Sequence, residues 1–142
     1  MAGLALAGTI AAGCGGGNDD GGSAGGSGGA GLSAGADGPS GRVPKDVVVV
    51  PGTHVWINAL DNTFRVADIQ IKPGTTVTWT NKGHNDHDVM PVRGDTWGTK
   101  VNGFGPGASY STRFDRPGVY PYYCSIHGSK TKGMVGTVVV AN

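Results

Sequence analysis

The chain has no glutamate, two cysteines and four histidines among its 142 residues, and each shortage narrows the chemistry open to it. A membrane-spanning helix needs about twenty consecutive apolar residues, and the sequence holds no such run. Charge of either sign is scarce. The formal net charge is +1, and from Val43 onward ten Lys and Arg stand against seven Asp. That surplus is too weak to argue for a nucleic-acid partner. Between Gly13 and Gly41 aromatic residues are missing altogether, and Leu32 is the one large aliphatic.

Fourteen of the 28 glycines fall in that same stretch. It cannot bury enough apolar surface to offset the entropy of ordering it, so residues 15–43 are expected to form a flexible tether. Ahead of it, MAGLALAGTIAAGC is a short apolar run ending in small residues and a cysteine. This resembles the end of a bacterial lipoprotein signal, in which the cysteine is lipidated and becomes the new N-terminus. Residues 1–14 are then a signal-like segment with Cys14 as the lipidation site. The expected location is extracytoplasmic, with the domain lipid-anchored to the membrane at the cell envelope. Position 11 is Ala where such signals usually carry a larger aliphatic, and no Lys or Arg precedes the apolar run. The alternative is an incidental Cys14 in a tail, open to pairing with Cys124. As an anchor line, a Gly-rich coil of this length has an r.m.s. reach of roughly 30 Å.

From Val43 the pattern changes to short β-type segments separated by turn signals. Val47–Val50 is an apolar run closed by Pro51-Gly52, and His54–Asn58 leads to the turn Asp61-Asn62. Phe64–Ile71 reads as one strand whose apolar residues change parity between Val66 and Ile69, which predicts a bulge or bend near Ala67-Asp68. In Thr75–Asn81, Val77 and Trp79 alternate with threonines as in a half-buried strand. Tyr110 and Phe114 mark the next strand, and Asp115-Arg116-Pro117-Gly118 turns it into Val119–Cys124. Met134–Ala141 closes the chain. No window carries a 3.6-residue apolar period. Residues 44–142 are therefore expected to form one all-β domain, an antiparallel β-sandwich of seven to eight strands.

The chemistry begins at Tyr122-Tyr123-Cys124-Ser125-Ile126-His127. Cys and His three residues apart, where a strand enters a loop, can both turn toward one point. Thiolate and imidazole together suit zinc or copper, and one thiolate with two imidazoles and a weak thioether is the blue-copper set. Met134, inside Gly133-Met134-Val135-Gly136, offers the thioether. His87, in His87-Asp88-Val89, offers the second imidazole.

Taken in order, Asn81, His87-Asp88-Val89, Gly118-Val119-Tyr120-Pro121-Tyr122-Tyr123-Cys124, His127 and Gly133–Gly136 resemble the motifs of the cupredoxins, above all the plastocyanin-like group. The resemblance runs from about Phe64 to Asn142. It implies a Greek-key β-sandwich and one copper ion cycling between Cu(I) and Cu(II), with His87, Cys124, His127 and Met134 as ligands. The implied function is one-electron transport by a monomer that meets redox partner proteins. By this resemblance His127 would be the point of electron exit. Lys130 and Lys132 lie in the same loop and read either as a mildly basic rim favouring an acidic redox partner or as solvated loop charges. Two departures stand out. Six residues separate His127 from Met134, more than is usual in plastocyanin-like proteins, so the loop 128–133 is longer. Asp88 stands where plastocyanin has Asn, and an ionised carboxylate accepts hydrogen bonds but cannot donate them.

The alternatives are few. His84, in Gly83-His84-Asn85, rivals His87. However, His84 is followed by two polar residues, while Val89 after His87 lets the chain re-enter the core. Met134 as a plain core residue stays open. His54 has no counterpart in the family pattern and is read as structural or solvent-facing, and Tyr120 and Tyr122 share the parity of Cys124 as core residues. A binuclear copper centre needs two cysteines in the Cys loop, multicopper oxidases need many more histidines, and the red-copper relative uses a Glu ligand. An enzyme is not expected. The surviving second reading is an extracytoplasmic copper-handling protein without a dedicated electron-transfer role.

Overall fold

The computed structural model describes residues 41–142. Cys14 and the expected tether up to residue 40 lie outside the described residues. The order of elements is β1 (Val48–Val49), β2 (His54–Leu60), β3 (Thr63–Arg65), β4 (Asp68–Ile71), β5 (Thr75–Asn81), β6 (Met90–Pro91), a 3-10 turn at Val101–Gly103, β7 (Ser109–Phe114), β8 (Gly118–Ser129) and β9 (Lys132–Val140). No α-helix occurs among the described residues.

Alternation writes these strands into two sheets. Val55, Ile57 and Ala59 of β2 turn inward while His54, Trp56 and Asn58 face out. Thr75, Val77, Trp79 and Asn81 of β5 are likewise buried, as a strand with one face on a core requires. The strand orders are β3-β2-β5-β7 and β1-β4-β9-β8-β6. One apolar cluster joins them, with Ile57, Val77, Trp79 and Phe114 from the first sheet and Ile69, Tyr122, Cys124, Met134 and Val138 from the second.

The expected β-sandwich is present, and two details differ from a purely antiparallel one. First, β1–β4, β4–β9 and β2–β5 pair in parallel, so both sheets are mixed. The chain crosses repeatedly from one sheet to the other, and such crossovers are what parallel neighbours require. Second, Phe64–Ile71 is not one bent strand. β3 pairs with β2 and β4 with β9, so the parity change at Val66–Ile69 marks a switch of sheet. Each half then buries its own apolar residues, Phe64 in one and Ile69 and Ile71 in the other.

Two tyrosine hydroxyls tie the layers. The Tyr120 hydroxyl donates to the Arg116 carbonyl at 2.7 Å, a bond that closes the β7–β8 corner. The Tyr122 hydroxyl donates to the Ala67 carbonyl at 2.9 Å, bracing the point where the chain changes sheets. Both rings are core residues. His54 sits on the outer face, stacked on Trp56 at 4.3 Å and hydrogen-bonded to Thr78 at 2.7 Å.

Candidate metal centre

The site is built on a defect in the β8–β9 ladder. Tyr123 pairs with Val135, and the next pair is Gly128 with Gly133. Cys124 through His127 therefore stand opposite Met134 alone. A bulge of this kind bends its strand and re-aims side chains, and here it turns both the Cys124 thiol and the His127 ring to one side. Beyond it the strands pair again up to Ser129–Lys132. The residues added between His127 and Met134 thus form a tight hairpin with Lys130-Thr131 at its tip. Glycine is required at its base. A Cβ on Gly128 would lie 2.8 Å from the Met134 nitrogen, and one on Gly133, where φ is +89°, would lie 2.7 Å from the His127 carbonyl oxygen.

His87 comes from the segment between β5 and β6. Asn81 anchors that segment, a role the sequence reading did not assign to it. Its amide donates to the carbonyls of Asn85 at 2.9 Å and Phe104 at 3.0 Å, and its Oδ1 accepts from the Gly83 N–H at 3.0 Å. The His87 N–H adds a bond to the Phe104 carbonyl. The signal in the sequence was an amide at the end of an otherwise apolar strand face, where it must be buried and hydrogen-bonded.

Three donor atoms converge. His87 Nδ1 lies 3.6 Å from Cys124 Sγ, His127 Nδ1 lies 3.7 Å from it, and the two nitrogens are 3.2 Å apart. His87 and Cys124 are fully buried. The point equidistant from all three lies about 2.0 Å from each, close to the roughly 2.0–2.3 Å bonds that imidazole and thiolate make to a first-row metal such as zinc. Three electron-rich atoms packed this closely repel one another unless a cation or protons intervene, so the donor set fits a single metal ion. Met134 is fully buried in the same core cluster and stands opposite the bulge in the strand register. His84 is elsewhere, its side chain 94% exposed beside Asp61.

The electrostatics agree with the geometry. Burial, then the neighbouring His127, pushes the His87 imidazolium down, leaving the neutral ring that ligates metals. Its Nε2 is buried with no hydrogen-bond partner among the described residues, so none of these supplies the second hydrogen bond that usually orients ligating histidines. Burial pushes the Cys124 thiol up, while the backbone N–H groups of Asp88, His127 and Ile126 pull it back. Those N–H groups favour thiolate, the form a metal takes.

A mixed β-sandwich that gathers one thiolate and two imidazoles at one point has the arrangement of the cupredoxin class of copper proteins. Residues 51–141 match the family described as copper binding proteins, plastocyanin/azurin family, and the chain belongs to that family. Its cofactor is copper, with room for one ion between the three donors.

Among similar proteins, chloroplastic plastocyanin of Tetradesmus obliquus is 40% identical over 85 residues, which cover 54% of this chain and 57% of that protein. Amicyanin-alpha of Methylorubrum extorquens is 36% identical over 81 residues, covering 54% and 63%. The chain thus spans less than two thirds of either. The solved copper-containing nitrite reductase of Thermus scotoductus is similar with a TM-score of 0.53 and 28% identity, over 66% of this chain and 23% of that one.

Proposed function

We propose that the protein is a mononuclear type 1 copper carrier of single electrons. The observation that carries this reading is the His87–Cys124–His127 triangle held between paired strands. Electron transfer is fast where little moves between oxidation states, and the fold itself holds these donors in place. The β8 bulge fixes two of them, and Asn81 with Phe104 fixes the third. We assign His87 Nδ1, Cys124 Sγ and His127 Nδ1 as the three strong ligands and the Met134 thioether as the weak fourth.

When bound, copper supplies a one-electron couple, and the protein's share is geometry, dryness and tuning. His127 is the one half-exposed member of the three, so electrons enter and leave through its ring edge toward redox partner proteins. The reading as carrier and not enzyme rests on one three-donor cluster among the described residues, in a chain of four histidines. The similarity to the nitrite reductase reaches under a quarter of that protein. We place the protein outside the cytoplasm as a monomer, anchored by lipid at Cys14. This location rests on the sequence of residues 1–43 alone.

The test is reconstitution. Apo protein titrated with Cu(II) should saturate at one equivalent, turn intensely blue or green, and cycle reversibly between ascorbate and a mild oxidant. Weakly coloured, readily exchangeable copper without reversible cycling would move the assignment to copper handling.

A further inference from the structure

The hairpin inserted between His127 and Met134 points to the kind of partner the carrier meets; the inference rests on the electron-carrier reading above. The pairs Gly128–Gly133 and Ser129–Lys132 make the insertion a continuation of β8 and β9. A Cβ on Gly128 or Gly133 would run into the backbone of Met134 or His127, so the hairpin base lies directly against the strands that carry those residues. Lys130 at the tip and Lys132 on the return strand are exposed. Among the described residues neither ammonium makes an ion pair or a hydrogen bond.

Among the described residues no carboxylate forms an ion pair with either lysine. Asp61 is engaged with His84, Asp86 Oδ1 lies against Gly105, and Asp88 is buried on Ser125. Beside the half-exposed His127 stands Ile126, 47% exposed. A small apolar contact is thus flanked on one side by two lysines without ion pairs, carried on a hairpin whose backbone continues the strand pairing.

We propose that the Ser129–Lys132 hairpin is an electrostatic docking element that selects redox partners with an acidic surface around their own electron port. Complementary charge raises encounter rates and fixes orientation more than it adds affinity. Because the lysines ride on the strand pair that carries His127 and Met134, an acidic patch that engages them is brought over the His127 edge. A partner with a basic port is repelled from the same approach.

The experiment uses the full copper-loaded chain and two inorganic oxidants of opposite charge, hexacyanoferrate(III) and tris(phenanthroline)cobalt(III). In each reaction one electron leaves the reduced protein, giving Fe(II) or Co(II) and the oxidised, coloured protein. Stopped-flow rates are compared across ionic strength for wild type and for Lys130→Gln/Lys132→Gln. A control, Lys72→Gln/Arg116→Gln, loses the same charge at the opposite end of β9 and β8. The expected result is a wild-type rate with the anionic oxidant that falls as salt rises. The hairpin variant should be several-fold slower at low salt, with a flattened salt dependence, while the cationic oxidant reacts faster with it. The control should resemble wild type. Equal rates and slopes for hairpin variant and wild type, or equal effects of the control, would overturn the docking role. Failure of both oxidants to restore colour in wild type would overturn the carrier reading itself.

Discussion

The carboxylate of Asp88 holds both polar groups of Ser125. Oδ1 accepts the Ser125 backbone N–H at 2.7 Å, and Oδ2 accepts its side-chain hydroxyl. Each residue directly follows a candidate ligand, His87 or Cys124, so this clasp ties together the two segments that supply them. Asp88 is 4% exposed, which places a carboxylate in a poorly screened setting next in the chain to His87.

Asp88→Asn keeps an oxygen for the Ser125 N–H and removes the charge. A negative group stabilises Cu(II) more than Cu(I), so its loss should raise the reduction potential. The effect should be on the order of 1 kcal/mol, or roughly 40 mV for one electron, with the colour retained. Asp88→Ala also orphans the Ser125 N–H and should cost about 1–3 kcal/mol of stability. Spectroelectrochemistry on both variants checks this, and an unchanged potential in the Asn variant would contradict it.

Met134→Leu conserves volume in the core and should fold with a loss of less than about 1.5 kcal/mol. If the thioether donates weakly to copper, its removal deprives Cu(II) of more stabilisation than Cu(I). The potential should rise, and the visible and EPR spectra should shift while the thiolate colour survives. Spectra and potential identical to wild type would reduce Met134 to packing alone.

Gly136 pairs with Tyr122 in the ladder, and a Cβ there would run into the Tyr122 phenol and the Ala67 carbonyl. Those two groups make the hydrogen bond that braces the sheet switch. Gly136→Ala should therefore destabilise by about 1–3 kcal/mol, lowering the melting temperature by several degrees with little change in the copper spectrum. Calorimetry on the apo protein decides it. A melting temperature equal to wild type would show that the ring moves aside freely.

Metal removal should also register as stability. A ligand that binds only the native state at one hundred times its dissociation constant adds about 2.7 kcal/mol. Copper-loaded protein should then melt about 10 °C or more above apo protein. A melting temperature unaffected by copper would contradict a site made of native donors.

The donors were legible because their chemistry depends on residue type and order. Cys124 and His127 lie close in the chain, and no other cysteine sits among residues 44–142. The strands of alternating burial, such as β2 and β5, were equally plain. What escaped was decided by partners far along the chain. The parity change at Val66–Ile69 signals a discontinuity, yet only the pairing of β4 with β9 shows that it is a change of sheet. Residues 128–133 read as a longer loop, because Gly128 and Gly133 announce a hairpin only once they are seen face to face. The work of Asn81 depends on the Phe104 carbonyl, 23 residues away.

The central claim is that the Cys124 thiolate binds copper together with His87 and His127. It is tested most directly by recording visible absorption and EPR spectra of Cu(II)-loaded wild type and Cys124→Ser side by side. Wild type should show an intense thiolate-to-copper band and a narrow copper hyperfine splitting, and both should vanish in the variant. An unchanged spectrum in Cys124→Ser, or no intense band in wild type at one equivalent of copper, would contradict the account.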